Sequence, residues 1–271
     1  MISVVIPTFN RVQMLERAIS SIYKQTLAPA EIIVVDDGSQ DSTQEMISRK
    51  YPQVNYVKQD RQGVSTARNS GVKIAQGNWI ALLDSDDEWL PRKLEEQVDM
   101  ARQEPTISLI HCDETWFRNG KHVNQKKYHK KSGGQLFGVS LLRCMISPSS
   151  AFIKKTLLDR HGGFDELLPA CEDYDLWLRI TAQERVGFID KSLVHKHGGH
   201  ADQLSESIPI LDQYRIQSLY KIIVEEPLTS GQRQQVKEVL RKKLDVVLNG
   251  AKKRGHQDLI KRTEKIEWNL L

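Results

Sequence analysis

The hydrophobic positions of the chain follow two rhythms. Residues 2–6, 32–35 and 79–83 are apolar runs broken only by Ser3, and runs of this length read as strands buried on both faces of a parallel sheet. Between them Met14, Leu15, Ala18, Ile19 and Ile22 recur at helical spacing, as do Ala67, Val72, Ile74 and Ala75. A βαβα order with short connections predicts a doubly wound α/β sheet with right-handed crossovers. Ligands bind such sheets beyond the carboxyl ends of the strands. Here those ends carry Pro7-Thr8, Asp36-Asp37 and Asp84-Ser85-Asp86, so residues far apart in sequence are predicted to meet along one edge.

After Pro105 the pattern is less regular. Residues 107–112 read as a strand, and the Lys- and His-rich stretch 124–134 as a mobile polar loop. An apolar helix over 136–145, a strand at 150–153 and a turn at 161–166 follow. Cys171-Glu172-Asp173-Tyr174-Asp175 leads into Leu176, Trp177, Leu178 and Ile180, which predicts a buried helix with acids at its amino end and Trp177 in the core. A strand at 186–189 precedes His195-Lys196-His197-Gly198-Gly199-His200. Beyond Ser207 the chain reads as helical, with Val236, Val239, Leu240, Leu244 and Val247 on one apolar stripe.

Length and charge narrow the picture. A chain of 271 residues can bury a sizeable core. No apolar run reaches the roughly 18–20 residues of a spanning helix, and the start lacks a basic segment before its short apolar stretch. The expectation is a soluble, cytoplasmic protein. Cys112, Cys144 and Cys171 are odd in number and widely spaced, which suggests neither a disulfide framework nor a zinc site. From Gln232 onward there are eleven Lys/Arg against five Asp/Glu, so the +4 of the whole chain leaves −2 for everything before. Such a tail is either a solvated helical face or a peripheral contact with an anionic membrane. It lacks the interleaved aromatics of a nucleic-acid binder.

The strand at 79–83 runs into Asp84, Asp86 and Asp87. Carboxylates crowded at a strand end repel one another, and a hard divalent cation such as Mn²⁺ or Mg²⁺, often accompanied by phosphate, relieves that repulsion. A plain polar turn is the other reading of an Asp-x-Asp. Asp37 likewise could cap the turn before Ser39 and Ser42, and Glu172 and Asp173 could be no more than favourable first-turn acids.

Taken in order, Val-Val-Ile-Pro-Thr-Phe-Asn, Ile-Val-Val-Asp-Asp-Gly-Ser, Gly-Val-Ser-Thr-Ala-Arg-Asn-Ser-Gly, Leu-Leu-Asp-Ser-Asp-Asp, Gly-Gly-Phe-Asp-Glu and Glu-Asp-Tyr-Asp-Leu-Trp resemble the family 2 glycosyltransferases of GT-A fold. The resemblance covers residues 3–177, continues weakly to about 205, and does not extend into the tail. It implies a mixed, mostly parallel nucleotide-binding sheet flanked by helices. The catalytic domain would span 1–206, with a nucleotide-sugar half at 1–104 and an acceptor half at 105–206, followed by a helical extension at 207–271.

By this resemblance Pro7, Thr8 and Asp37 hold the uracil of a UDP-sugar, a carboxylate suiting the N–H donor of that base. Arg68 meets the nucleotide phosphates or forms a structural salt bridge. Asp86 binds the metal directly, with Asp84 and Ser85 beside it near the ribose. Asp87 supports the site or caps a helix beginning near Pro91. Asp173 is the general base that takes the proton of the acceptor hydroxyl, with Glu172 touching acceptor or sugar. A His after the last strand is a third ligand for Mn²⁺, His197 first and His200 next, and Gly198-Gly199 allow a gate over the diphosphate.

The implied activity is inverting transfer from a nucleotide-sugar to a glycan or lipid-linked acceptor, in polysaccharide, lipopolysaccharide or glycoconjugate synthesis at the cell envelope. The alternative is a catalytically silent nucleotide-binding module acting through its basic tail. The stretch after the first strand is neither Gly-x-Gly-x-x-Gly nor a P-loop, which excludes a dehydrogenase or P-loop enzyme. Donor sugar, acceptor and oligomeric state are not encoded in a form these patterns reveal. The tail's apolar stripe could pack on its own domain or on a second copy.

Overall fold

The computed structural model describes residues 1–200, 208 and 210–268. Its amino-terminal half consists of strand β1 (Ile2–Thr8), helix α1 (Val12–Tyr23), β2 (Glu31–Asp36), α2 (Thr43–Lys50), β3 (Asn55–Lys58), α3 (Val64–Ile74), β4 (Trp79–Leu82), β5 (Glu88–Trp89) and α4 (Lys93–Gln103). Strands β3, β2, β1 and β4 lie side by side and parallel. The apolar runs are strands buried on both faces, with Val4, Val5, Ile6, Ile33, Val34, Ile80 and Ala81 fully enclosed. On α1, Leu15, Ala18, Ile19 and Ile22 face the sheet. Helix α3 lies close to it because Gly71 has no side chain: a Cβ there would stand 2.4 Å from Val5 Cγ1. Ile74 departs from the anticipated stripe and is 41% exposed. Strand β3 is short and half-exposed at the sheet edge, so its apolar pattern is too weak to read from sequence.

The second half adds β6 (Leu109–Arg118), β7 (Lys121–Val123), α5 (Phe137–Ser140), β8 (Phe152–Lys154), α6 (Lys155–Arg160), α7 (Glu172–Thr181) and β9 (Gly187–Gly198). The full sheet runs β3-β2-β1-β4-β8-β6-β9-β5, with β7 beside β6. Strand β8 pairs antiparallel to β4 and β6, while β6 and β9 are parallel. The sheet is therefore mixed, parallel where the βαβ pattern is clear and antiparallel where the chain turns back.

Three expectations for this half are corrected. The apolar stretch 136–145 is only one helical turn, α5, followed by irregular chain whose Leu141, Met145 and Ile146 are still buried. Burial, not helicity, explains its apolar content. The polar stretch 124–134 is mostly exposed, but its end is anchored: Lys131 is 7% exposed, and Gly134 pairs with Val186. The histidine cluster does not follow the last strand in a loop, since β9 runs through His197 to Gly198, aligned with the extended β6.

Beyond residue 209 come α8 (Asp212–Glu225), α9 (Ser230–Arg254) and α10 (Gln257–Trp268); the boundary anticipated at 206/207 lies outside the described residues. Thr229 caps α9 through a reciprocal pair with Gln232. The stripe Val236, Leu240, Leu244 and Val247 packs on Leu219 and Ile222 of α8 and on Tyr174 and Leu178 of α7. The tail's apolar face is thus covered by its own chain. Among the described residues no helix is long and apolar enough to cross a membrane.

Candidate active site

The ends of β1 and β4 and the start of α7 open into one cavity of about 530 Å³, between the two halves of the sheet. Its wall includes Pro7, Arg68, Asp84, Ser85, Asp86, Glu172, Asp173 and His197, the great majority of the positions singled out from sequence. Parallel register explains the donor side. Val5 pairs with Leu82 and the Leu83 N–H donates to the Val5 carbonyl, so the acids beyond β4 emerge beside Pro7.

Arg68 is the hinge of the arrangement. It is 4% exposed, with one guanidinium nitrogen 2.7 Å from Asp84 Oδ1 and another 2.6 Å from Glu172 Oε1. The two carboxylates come from opposite halves of the chain and share one planar donor fork. Burial, reinforced by the charge of Asp173, raises the Glu172 carboxyl against the pull of Arg68.

Asp86 takes the Arg11 guanidinium at 3.0 Å and the His200 ring at 2.8 Å. Burial alone would raise its carboxyl, but His200 and Arg11 hold it below the ordinary range. Asp87 is enclosed, accepting from Ser149 Oγ at 2.6 Å and from the His197 backbone N–H at 2.9 Å. Burial and the charge of Asp86 push it well above the usual carboxylate value. It is a support for the loop and for β9, and not a cap of α4. The His197 ring lies 2.8 Å from Glu88 and stacks on Phe117. His200, not His197, is therefore the imidazole that stands beside Asp86.

Asp37 and Thr8 sit just outside this wall. The Asp37 carboxylate accepts from Gln59 Nε2, the Gln62 N–H and the Gly63 N–H, each at 2.8 Å. Three of its roughly four lone-pair sites are engaged, so it orders the loop leading into α3 while one direction stays open. Gly63 meets it at φ +96, a conformation that suits glycine. The Thr8 hydroxyl is buried without a hydrogen-bond partner among the described residues.

Asp173 stands at the first turn of α7, after Cys171 in a left-handed conformation. Its Oδ2 accepts from Cys144 Sγ at 3.2 Å and its Oδ1 from the Tyr174 N–H at 2.6 Å. The thiol of Cys144 is pushed well above its usual value by burial and by the Asp173 charge, so it stays a donor to that carboxylate.

The acceptor wall holds residues that sequence reading passed over. Glu114 on β6 accepts from Lys131 at 2.8 Å, from Trp116 Nε1 at 2.8 Å and from Ser147. Despite burial, Lys131 draws its carboxyl down to about 2. Lys196 on β9 projects among Glu114, Asp87, Asp84 and Asp173; burial opposes its charge, but these acids raise its pKa. The alternation of β9 carried the signal, since Lys196 lies between two histidines that drew the attention.

Could these residues hold a metal? Among the described residues no three His, Cys, Asp or Glu side chains converge on one point. Asp86 and His200 do offer an oxygen and a nitrogen side by side, a pair compatible with Mn²⁺ if phosphate oxygens and water complete the shell.

Comparison with known proteins bears on the fold and the family. A TarS fragment of S. aureus (1–349) in complex with UDP-GlcNAc shares the fold at TM-score 0.71 and 22% identity, over 88% of this chain and 71% of that one. The mannosyltransferase PcManGT from Pyrobaculum calidifontis, in complex with GDP-Man and Mn²⁺, does so at TM-score 0.62 and 18% identity, over 91% of this chain and 74% of that one. The fold is thus that of the GT-A glycosyltransferases. In sequence the chain is 30% identical over 192 residues to UDP-Glc:alpha-D-GlcNAc-diphosphoundecaprenol beta-1,3-glucosyltransferase WfgD of Escherichia coli, covering 70% of this chain and 73% of that protein. It is 31% identical over 215 residues to an uncharacterised glycosyltransferase of Rickettsia bellii, covering 77% of this chain but spanning only 31% of that protein's length. Residues 3–162 match the profile of glycosyl transferase family 2, and the chain belongs to that family.

Proposed function

We propose that the chain transfers a sugar, with inversion, from a UDP-sugar to an acceptor hydroxyl. The observation that carries this reading is the meeting, in one cavity, of the Asp84-Ser85-Asp86 turn with Asp173, joined through Arg68 and Glu172. The complex of TarS with UDP-GlcNAc and the UDP-glucose donor in the name of WfgD support UDP as the nucleotide.

In this reading Asp173 removes the acceptor proton as the hydroxyl oxygen bonds to the anomeric carbon, and the bond from that carbon to the diphosphate breaks with its electrons on UDP. Cys144 and the Tyr174 N–H fix the carboxylate that accepts the proton. Lys196 brings positive charge between the acid turn and the base, where charge grows on the departing diphosphate. Asp86 and His200 are the side chains that would hold a divalent cation, whose contribution when bound is to neutralise the diphosphate. Asp37 and Thr8 lie at the base-binding end.

The acceptor is a glycan or lipid-linked saccharide in envelope polymer synthesis, a class suggested by the diphosphoundecaprenol acceptor in the name of WfgD. The exposed Arg241, Lys242, Lys252, Lys253 and Arg254 offer a peripheral contact for an anionic membrane. The test is isothermal titration with UDP, GDP, ADP and CDP, each with and without Mn²⁺. Manganese-dependent binding selective for UDP is expected, followed by transfer from one of a panel of UDP-sugars. Failure of every nucleotide to bind would overturn the reading.

A further inference from the structure

Most of the charges in the cavity wall are matched inside the protein. Arg11 faces Asp86, Arg68 faces Asp84 and Glu172, and Lys131 faces Glu114, while Arg215 pairs with Asp212 at 3.0 Å. Arg143 is different. It lines the same cavity, yet among the described residues no carboxylate lies within 4 Å of it, and the partner of its Nε is the thioether of Met145 at 3.1 Å. A thioether is a weak acceptor, so a guanidinium with five donors stands at the wall with almost none of them used.

Its position says what it could meet. Arg143 immediately precedes Cys144, the thiol bonded to Asp173, so its charge lies one residue from the group that orients the base. On its other side is His129, whose pKa is lowered by burial and by the Arg143 charge. His129 packs at 4.8 Å on Trp116, and the Trp116 indole is pinned by its bond to Glu114. An aromatic wall beside a free arginine fork suits a sugar ring carrying an anionic substituent, because aromatic faces take the apolar side of a ring and guanidinium takes phosphate oxygens in two parallel bonds. A second arginine, Arg215, lines the same cavity, and its Nε is buried without a hydrogen-bond partner among the described residues.

We infer that Arg143, backed by Arg215, is an acceptor-side anion site that holds a phosphate or diphosphate ester carried by the acceptor, next to the hydroxyl presented to Asp173. This rests on the transferase reading above and names the chemical class of its acceptor. Two sources supply such a group: a lipid-linked sugar diphosphate, or the phosphodiester of a polyol-phosphate polymer.

The test is a binding titration of the full chain with its donor site filled by saturating UDP, followed through tryptophan fluorescence. One arm uses an undecyl-diphospho-N-acetylglucosamine, another a glycerol-phosphate trimer, and the control arm an undecyl N-acetylglucosaminide without phosphate. At least one phosphate-bearing probe is expected to bind at least about 10-fold more tightly than the control, with affinity falling as salt rises. Arg143→Gln should weaken that probe by about 10- to 100-fold and Arg143→Lys by less, as expected for losing or coarsening a charge-assisted fork. Which probe gains identifies the source. Equal binding of all three probes to the wild-type protein, or phosphate binding indifferent to both substitutions, overturns the anion site while leaving UDP recognition standing. A separate UDP titration of the wild-type protein reports the donor reading, so loss of that signal marks failure of the transferase reading itself.

Discussion

The two halves of the cavity solve the problem of placing charge in opposite ways. On the donor side the carboxylates are held by partners already in the protein: Asp37 by three N–H donors, Asp84 by Arg68, Asp86 by Arg11 and His200. On the acceptor side Lys131 neutralises Glu114, but Arg143 and Lys196 make no ion pair within 4 Å among the described residues. The lesson concerns what each half recognises. A nucleotide diphosphate is a constant shape, and a prearranged set of polar groups suits it, since reorganisation at the moment of binding is then small. In the proposed acceptor half Arg143 keeps most of its donors unused, while Lys196 stands among Glu114, Asp87, Asp84 and Asp173 without a close ion pair among the described residues.

The sharpest way to break this comparison is at Asp173. Replacing it with Asn should lower transfer by about 10²- to 10⁴-fold with UDP affinity nearly unchanged, measured by radiolabelled transfer beside calorimetry. A parallel loss of UDP binding would erase the division between the halves. Next comes Asp86→Ala, which should abolish the metal dependence of UDP binding; an unchanged response to Mn²⁺ would move the cation elsewhere.

Arg68→Met probes the joint between the halves. It leaves Asp84 and Glu172 facing each other at a largely buried site, and breaking a buried ion pair from one side costs about 3–5 kcal/mol. Urea denaturation reads this, and a change of under about 1 kcal/mol would mean that the bridge is dispensable. In the tail, Leu244→Ala should cost about 2–5 kcal/mol as a buried large-to-small change, whereas Lys252→Glu with Lys253→Glu should leave stability alone and weaken binding to anionic vesicles. Vesicle binding that ignores both charges would return the basic face to simple solvation.

The smallest effect is a pH one. Glu114 has its folded pKa drawn down to about 2 from an ordinary value of 4.5. The folded state therefore binds fewer protons than the unfolded chain over this interval, and the pair with Lys131 contributes stability that is complete above about pH 4.5 and lost as pH falls toward about 2. Glu114→Gln should flatten that part of the urea midpoint against pH; an unaltered slope would assign the acid sensitivity to other groups.

How much of this could be read from the chain follows from the physics of each half. Strands β1, β2 and β4 announce themselves because both faces are buried and the apolar runs are broken only by Ser3. Their polar ends meet because parallel register places them together. Strand β9 is harder. Its partner β6 lies some 77 residues away in sequence at the Thr115–Ser192 contact, and one face holds Lys196 while its neighbours pack on Phe117, His197 stacked and His195 edge-on, so no apolar period marks it. Arg143 carries no motif at all, since its meaning depends on the absence of a partner, which only three-dimensional packing defines. Which of His197 and His200 stands beside Asp86 is hidden for a related reason: one residue of strand decides which way a side chain points, and sequence does not say where the strand stops.

Helix α7 has Asp173 on its cavity side and Tyr174 and Leu178 set into the cluster formed with Leu219, Leu240 and Leu244. The carboxyl-terminal helices are thus the bed on which α7 rests, and Tyr174, which grips that bed, is the immediate neighbour of the proposed base Asp173. A chain cut after the catalytic motifs would keep every residue of the signature and lose the surface that sets their height. For this molecule the unit that packs as one body is longer than the stretch that identifies its family.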